Sequence, residues 1–178
     1  QELAGLETRA QAKTLGFCLI YGGGDAKVGK IVGGGSKEGK KLKDKYFSEL
    51  PAFGKLYNLV QRASGKGWLK GLDGRKVFIK SQHSALNYLL QSAGAIVSKA
   101  AIIEYHRILK EDHGMIDGKE YKQVAWIHDA ITCEVPEDKA DIVGNAIVQA
   151  FKNTTQLLGL NCPQDGKYIV GKNLSECH

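Results

Sequence analysis

Arg9, Lys13, Phe17 and Tyr21 recur every four residues in "RAQAKTLGFCLIY". On a helix such spacing puts all four on one face. Two cations and two aromatic rings in one stripe suit a nucleotide: the cations neutralise phosphates, and a ring stacks on the base or sugar. The same spacing also describes an aromatic core stripe with charged neighbours reaching to solvent. Further along, "VAWIHDAI" sets His128 and Asp129 at what reads as a hairpin tip, flanked by Val124, Trp126, Ile127 and Ile131. A carboxylate held there by rigid strands can bind Mg²⁺, a cation that takes oxygen ligands. Aspartate is equally a common turn residue. His83, Asn87 and Gln91, at i, i+4 and i+8, form a polar stripe that could contact base edges in a minor groove, or simply the solvent side of an amphipathic helix.

Two near-copies of G-x4-G-K follow the first stripe, Gly24 to Lys30 and Gly34 to Lys40. A phosphate-binding loop sits between a strand and a helix and ends in Gly-Lys-Ser/Thr, because the hydroxyl holds magnesium. Here Ile31 and Lys41 occupy the hydroxyl positions, and neither ligates a metal. The glycines therefore read as flexible corners between short helices. Lys27, Lys30, Lys37, Lys40, Lys41, Lys43 and Lys45 crowd the same stretch, either as a solvated helix face or as a basic surface near a polyanion.

The elements that must position these residues follow from capping and periodicity. Thr8 is a plausible N-cap for a helix over 9–21, although "FCLIY" has the β-propensity of a strand. Ser36 can cap a helix carrying Leu42, Tyr46 and Leu50 on one face, and Pro51 stops or restarts it. "AFGKLYNLVQRAS" is a further amphipathic helix. "WLKGLDGRKVFIKS" is a hairpin around Asp73-Gly74. A long apolar helix begins near Ser84, with small residues Ala93, Gly94 and Ala95 where close packing is expected. A second hairpin carries His128 and Asp129, a helix starts at Pro136 and Glu137, and "GKYIV" offers one more short strand. The first 65 or so residues read as short helices and glycine and the remainder as α+β, dividing the chain into 1–66 and 67–178 near Ser64 to Lys66.

The 178 residues are 43% hydrophobic and 25% charged, ordinary globular values. The net charge of +6 suggests a polyanionic partner only weakly. No uninterrupted apolar run reaches the roughly 18 residues of a membrane span, and no signal peptide opens the sequence. Cys18, Cys133, Cys162 and Cys177 lack C-x-x-C spacing, so neither a zinc cluster nor a disulfide framework is indicated. A reducing cytoplasm fits, with no membrane.

Together these motifs resemble the family A (polymerase I-type) DNA polymerases. "RAQAKTLGFCLIYG" is similar to the family's fingers-helix motif. "GLDGRKVFIKSQHSALNYLLQSAGA" is similar to the stretch that contacts primer-template in phage members. "AWIHDAI" resembles the palm motif, normally His-Asp-Glu, and the Cys177-His178 ending resembles that of phage replicative polymerases. The resemblance runs over essentially the whole chain.

It implies an α+β fold: the fingers helices (1–66) plus the C-terminal part of the palm of a right-hand polymerase (67–178), with antiparallel strands packed against helices. Arg9 and Lys13 would bind the triphosphate of an incoming dNTP, and Lys13 could protonate departing pyrophosphate. Phe17 would pack on sugar and base, and Tyr21 would guard the template base. Asp129 would hold Mg²⁺ in a two-metal site, with His128 beside the primer end. Arg75, His83, Asn87, Gln91 and His128 would grip primer-template DNA.

Three departures stand out: Ala130 where the family has glutamate, Cys18 where it usually has glycine, and Phe17 where phage relatives can carry tyrosine. The last goes with poorer use of dideoxynucleotides. The family's other metal-binding aspartate and its thumb precede the fingers helix, and nothing in "QELAGLETR" supplies them. The expectation is a fragment, a processed product or one piece of a split protein, inactive alone and completed by an N-terminal polypeptide. The alternative is a catalytically weakened DNA-binding relative.

Overall fold

The computed structural model describes Leu6 and residues 8–177. The expectations placed on the opening "QELAG", on Glu7 and on His178 lie outside the described residues. Two compact units result, the first ending at Ser92 and the second beginning at Ala93.

In the first unit, α1 (Arg9–Ile20) opens on a capping box. Thr8 Oγ1 accepts from Gln11 N–H and Gln11 Oε1 accepts from Thr8 N–H, both at 3.1 Å, which satisfies two backbone donors that the helix leaves over. The strand-prone "FCLI" stays helical because Leu15, Cys18 and Leu19 are buried on one side, and tertiary packing overrides β-propensity. The helix ends in a Schellman motif: Gly22 N–H bonds Leu19 O at 3.1 Å and Gly23 N–H bonds Cys18 O at 2.7 Å, with Gly22 at φ +75°. A Cβ on Gly22 would lie 2.0 Å from His83 O, so only glycine lets the end of α1 rest on that backbone.

α2 (Asp25–Lys30) and α3 (Ser36–Glu49) follow. Ser36 is the first residue of α3; its N-cap is Gly35, whose N–H donates to Glu38 Oε2 at 2.9 Å. Pro51 starts α4 (Pro51–Ala63) at a position where its missing N–H costs nothing. Strands β1 (Trp68–Lys70) and β2 (Lys76–Phe78) pair antiparallel, and Leu69 buries with Val60, Ala85 and Leu86. This hairpin therefore packs with the helices before it, although composition changes near Ser64–Lys66.

Helix α5 (Ala85–His113) continues into the second unit, which adds β3 (Lys122–Ile127), β4 (Ala130–Glu134) and α6 (Ala140–Leu157). Its core gathers Tyr105, Leu109, Met115, Tyr121, Val143 and Ala150 among others. Buried Glu104 is held by Arg107 at 2.8 Å and by Asn153 Nδ2 at 2.7 Å. The mixed helix and antiparallel-strand content is the α+β class expected.

Two expectations need correction. "GKYIV" forms no strand; Tyr168 instead turns to α6, its hydroxyl donating to Asp141 Oδ1 at 3.0 Å and its ring filling the space a Cβ on Gly144 would need. Side-chain contact with a helix replaces ladder pairing there. Gly94 has no described atom within 4 Å of an added Cβ, so this glycine of mid-α5 marks no close approach among the described residues. Separately, an 18-residue stretch within Gln82–His113 reaches mean hydropathy 1.2, long and apolar enough to cross a membrane. Length and composition alone give that result, and a core helix gives it too; α5 carries Lys99, Glu104 and Arg107 and lends Tyr105 and Leu109 to a core.

Candidate functional site

The stripe on α1 is not core. Arg9, Lys13, Phe17 and Tyr21 are all exposed, the two rings by 48% and 47%, while Leu15, Cys18 and Leu19 take the buried side. Phe17 and Tyr21 stack with centroids 6.2 Å apart, and Lys13 Nζ lies 5.9 Å from the Phe17 centroid. Neither Arg9 nor Lys13 forms an ion pair among the described residues. Two exposed cations beside two open rings can accept a phosphorylated aromatic ligand.

The start of α5 joins this surface. Gly22 sits on His83, and Gln91 Nε2 lies 3.5 Å from Tyr21 Oη, the outer limit of a hydrogen bond. His83 and Gln91 are exposed, and Asn87 is half-buried with an Oδ1 that is buried and unpartnered among the described residues. A buried acceptor without a donor costs free energy unless a ligand or water supplies one. Arg75 differs: Asp73 takes its guanidinium at 2.6 Å and its Nε at 2.8 Å, and holds the Arg75 pKa up while Arg75 holds the Asp73 carboxyl below its ordinary range.

The twin glycine motif has a packing explanation. A Cβ on Gly29 would meet Gly35 O at 2.0 Å, and one on Gly39 would meet Asp25 O at 1.8 Å and Gly29 N at 2.6 Å. The second glycine of each copy thus lets α2 and α3 touch backbone to backbone. The motif follows a helix, not a strand.

His128 and Asp129 belong to the second unit and form the two-residue loop between Ile127 and its partner Ala130. Both are exposed. Among the described residues His128 is the one non-glycine with positive φ, at +57°, a conformation that histidine tolerates and that clusters at functional sites. Trp126 Nε1 donates to His128 O at 2.7 Å, and Lys99 Nζ lies 5.9 Å from the Trp126 ring centroid. Sequence reasoning took Trp126 for an apolar flank. The available signal was an indole N–H two residues before the tip, which needs an acceptor. No group of three or more His, Cys, Asp or Glu side chains gathers for a metal among the described residues, so Asp129 offers one carboxylate by itself.

The model of DNA polymerase family A matches residues 2–176. This chain belongs to DNA polymerase family A. It is 38% identical to the DNA-directed DNA polymerase of Enterobacteria phage T3 and 37% identical to that of Escherichia phage T7, in each case over all of this chain and 28% of the relative. The chain thus spans less than a third of the length of these relatives. The POL domain of Pol1 from M. smegmatis, solved in complex with DNA primer-template and dNTP, superposes at a TM-score of 0.72 with 20% identity, over 85% of this chain and 28% of that one; it shares the fold. In a family A chain, the open cation–aromatic face of α1 and the carboxylate at the β3–β4 tip are the two features with chemistry to assign.

Proposed function

We propose that this chain supplies the fingers (1–66) and the C-terminal palm (67–178) of a template-directed DNA polymerase, which transfers a nucleotide from a dNTP to a primer 3′-hydroxyl. The observation that carries the reading is the exposed Arg9–Lys13–Phe17–Tyr21 face, with neither cation in an ion pair among the described residues. Arg9 and Lys13 bind the triphosphate, Phe17 packs on sugar and base, and Tyr21, tied to Gln91, stands against the template base. The primer oxygen attacks the α-phosphorus in line and the bond to pyrophosphate breaks. Lys13, close to the departing group, can donate its proton to it.

Asp129 fits one ligand position of a Mg²⁺ site: it is an exposed carboxylate on a two-residue loop held by the Trp126–His128 hydrogen bond. Magnesium, when bound, stabilises charge on the attacking and leaving oxygens. The chain's part is to hold this oxygen ligand still, with His128 beside the primer end. The remaining carboxylate and the thumb come from an N-terminal polypeptide, and His83, Asn87, Gln91 and Arg75 hold primer and template. The assembled enzyme works in the cytoplasm, the host's if phage-encoded.

The test is Mg²⁺-dependent extension of a primed template with and without that polypeptide. Extension only when both are present, lost in Asp129→Ala, is expected. Activity of this chain alone would overturn the need for a partner. Ala130 favours a second reading, a DNA-binding relative with weakened catalysis; binding of primed DNA without extension by the assembled protein would select it.

A further inference from the structure

Helix α4 has two apolar faces where a surface helix needs one. Its inner face buries Gly54 and Val60, with Phe53 and Tyr57 packed against the core of the first unit and against Phe47 of α3. The opposite face of such a helix is ordinarily polar. Here it carries Ala52, Leu56, Leu59 and Ala63, all exposed, the leucines by 44% and 52%. Successive steps of four, three and four residues keep them in a single row, the a/d spacing by which one helix seats on another. Lys55 and Arg62 each stand one residue before an a position, Leu56 and Ala63, and so line one edge of the row about two turns apart. Pro51–Ala63 contains no acidic residue, and neither cation is in an ion pair among the described residues. The polymerase reading gives this row no role.

We infer that the outer face of α4 is a docking surface for an acidic amphipathic helix of a partner protein, its apolar side on Leu56 and Leu59 and its carboxylates against Lys55 and Arg62. Charge complementarity selects this occupant. A second copy of the chain would present another α4, which has cations and no carboxylate to offer, and like charges set against one another across an interface are costly. A nucleic acid would use the two cations for its phosphates and leave the leucines in water. A single helix row with a charged edge is also smaller and more polar than a permanently buried subunit interface. That fits a partner which associates and leaves, not the polypeptide that completes the chain.

The test titrates the 178-residue chain with a labelled synthetic helix about three heptads long, carrying leucine at a and d and glutamate along both flanks. Anisotropy at several salt concentrations reads binding, with a scrambled peptide of the same composition as control. Saturable binding of the amphipathic peptide alone, weakening as salt rises, is expected. Leu59→Ala should weaken it about tenfold. The double variant Lys55→Glu, Arg62→Glu should lose the glutamate peptide and gain binding of a lysine-flanked version, because the charge pairing is inverted. All three positions are exposed, so the melting temperature should change little. Equal affinity for the scrambled peptide, or wild-type affinity in both variants, would overturn the inference. So would dimerisation of the chain in sedimentation that Leu59→Ala abolishes, which would give the row to a second copy. Loss of peptide binding once the N-terminal polypeptide is bound would overturn it too, by giving the row to that polypeptide.

Discussion

The indole N–H of Trp126 donates to the carbonyl oxygen of His128 at 2.7 Å, clasping the hairpin tip that carries Asp129. His128 sits at φ +57°, a backbone state a non-glycine residue keeps only when its surroundings hold it. Trp126→Phe keeps a ring and removes the donor. In the polymerase proposed above, kcat for extension is expected to fall about tenfold, since small displacements of a reacting group cost rate steeply, while the KM for dNTP and the melting temperature change little. A rise in KM with kcat intact would show that Trp126 does not act through the tip.

In the dNTP site proposed above, Phe17 would offer the sugar a ring and no hydroxyl. A dideoxynucleotide lacks its own 3′-hydroxyl, and with phenylalanine at this position nothing replaces the lost polar contact. The assembled enzyme should therefore strongly prefer dNTPs, and Phe17→Tyr should narrow that preference at least tenfold. Competition between ddNTP and dNTP in primer extension measures it, and equal incorporation by the wild type would refute the assignment of Phe17 to the sugar.

Much of this was legible in residue types and spacing, and the misses have physical causes. The α1 stripe and its Thr8 cap are local patterns, and the helix obeys them. Where "FCLI" would go was not local: burial of Leu15, Cys18 and Leu19 decided it. The roles of Gly29 and Gly39 depend on two helices packed so closely that an added Cβ would stand 2.0 Å or less from a backbone oxygen, which no one-dimensional motif encodes, so G-x4-G-K mimicked a phosphate loop. Tyr168 has strand propensity in a strand-like stretch, and a hydrogen bond to Asp141 took it elsewhere. The Trp126–His128 bond joins side chain to backbone across a turn whose positive φ only coordinates reveal.

Gly39→Ala separates the packing explanation of the twin motif from a phosphate-binding one. Its Cβ would stand 1.8 Å from Asp25 O, a rigid backbone atom, and overpacking of this kind costs about 1–3 kcal/mol. Gly24→Ala, at the first glycine of the other copy, meets nothing within 4 Å and should be nearly neutral. Thermal melting of the two variants decides: a phosphate loop would need both glycines for ATP binding, whereas packing predicts a melting temperature lowered by several degrees in Gly39→Ala alone.

Acid should weaken the second unit through Glu104. The Arg107 guanidinium, at 2.8 Å, with Asn153 behind it, holds this carboxyl below its ordinary value against the opposing effect of burial. A group whose folded pKa is depressed stabilises the fold above its unfolded value, about 4.3 for glutamate, and that contribution disappears as pH falls through the folded value. Arg107 moves the other way, its pKa raised first by Glu104 and then by Glu111, so its own titration lies far above neutrality and leaves the acid limb to the carboxylate. Glu104→Gln keeps an acceptor for Asn153 and removes the titrating group. Its melting temperature should lie below the wild type's at neutral pH, and the gap should close as pH drops below about 4. Melting curves that stay parallel across that window would show that the Glu104–Arg107 pair contributes no charge-dependent stability.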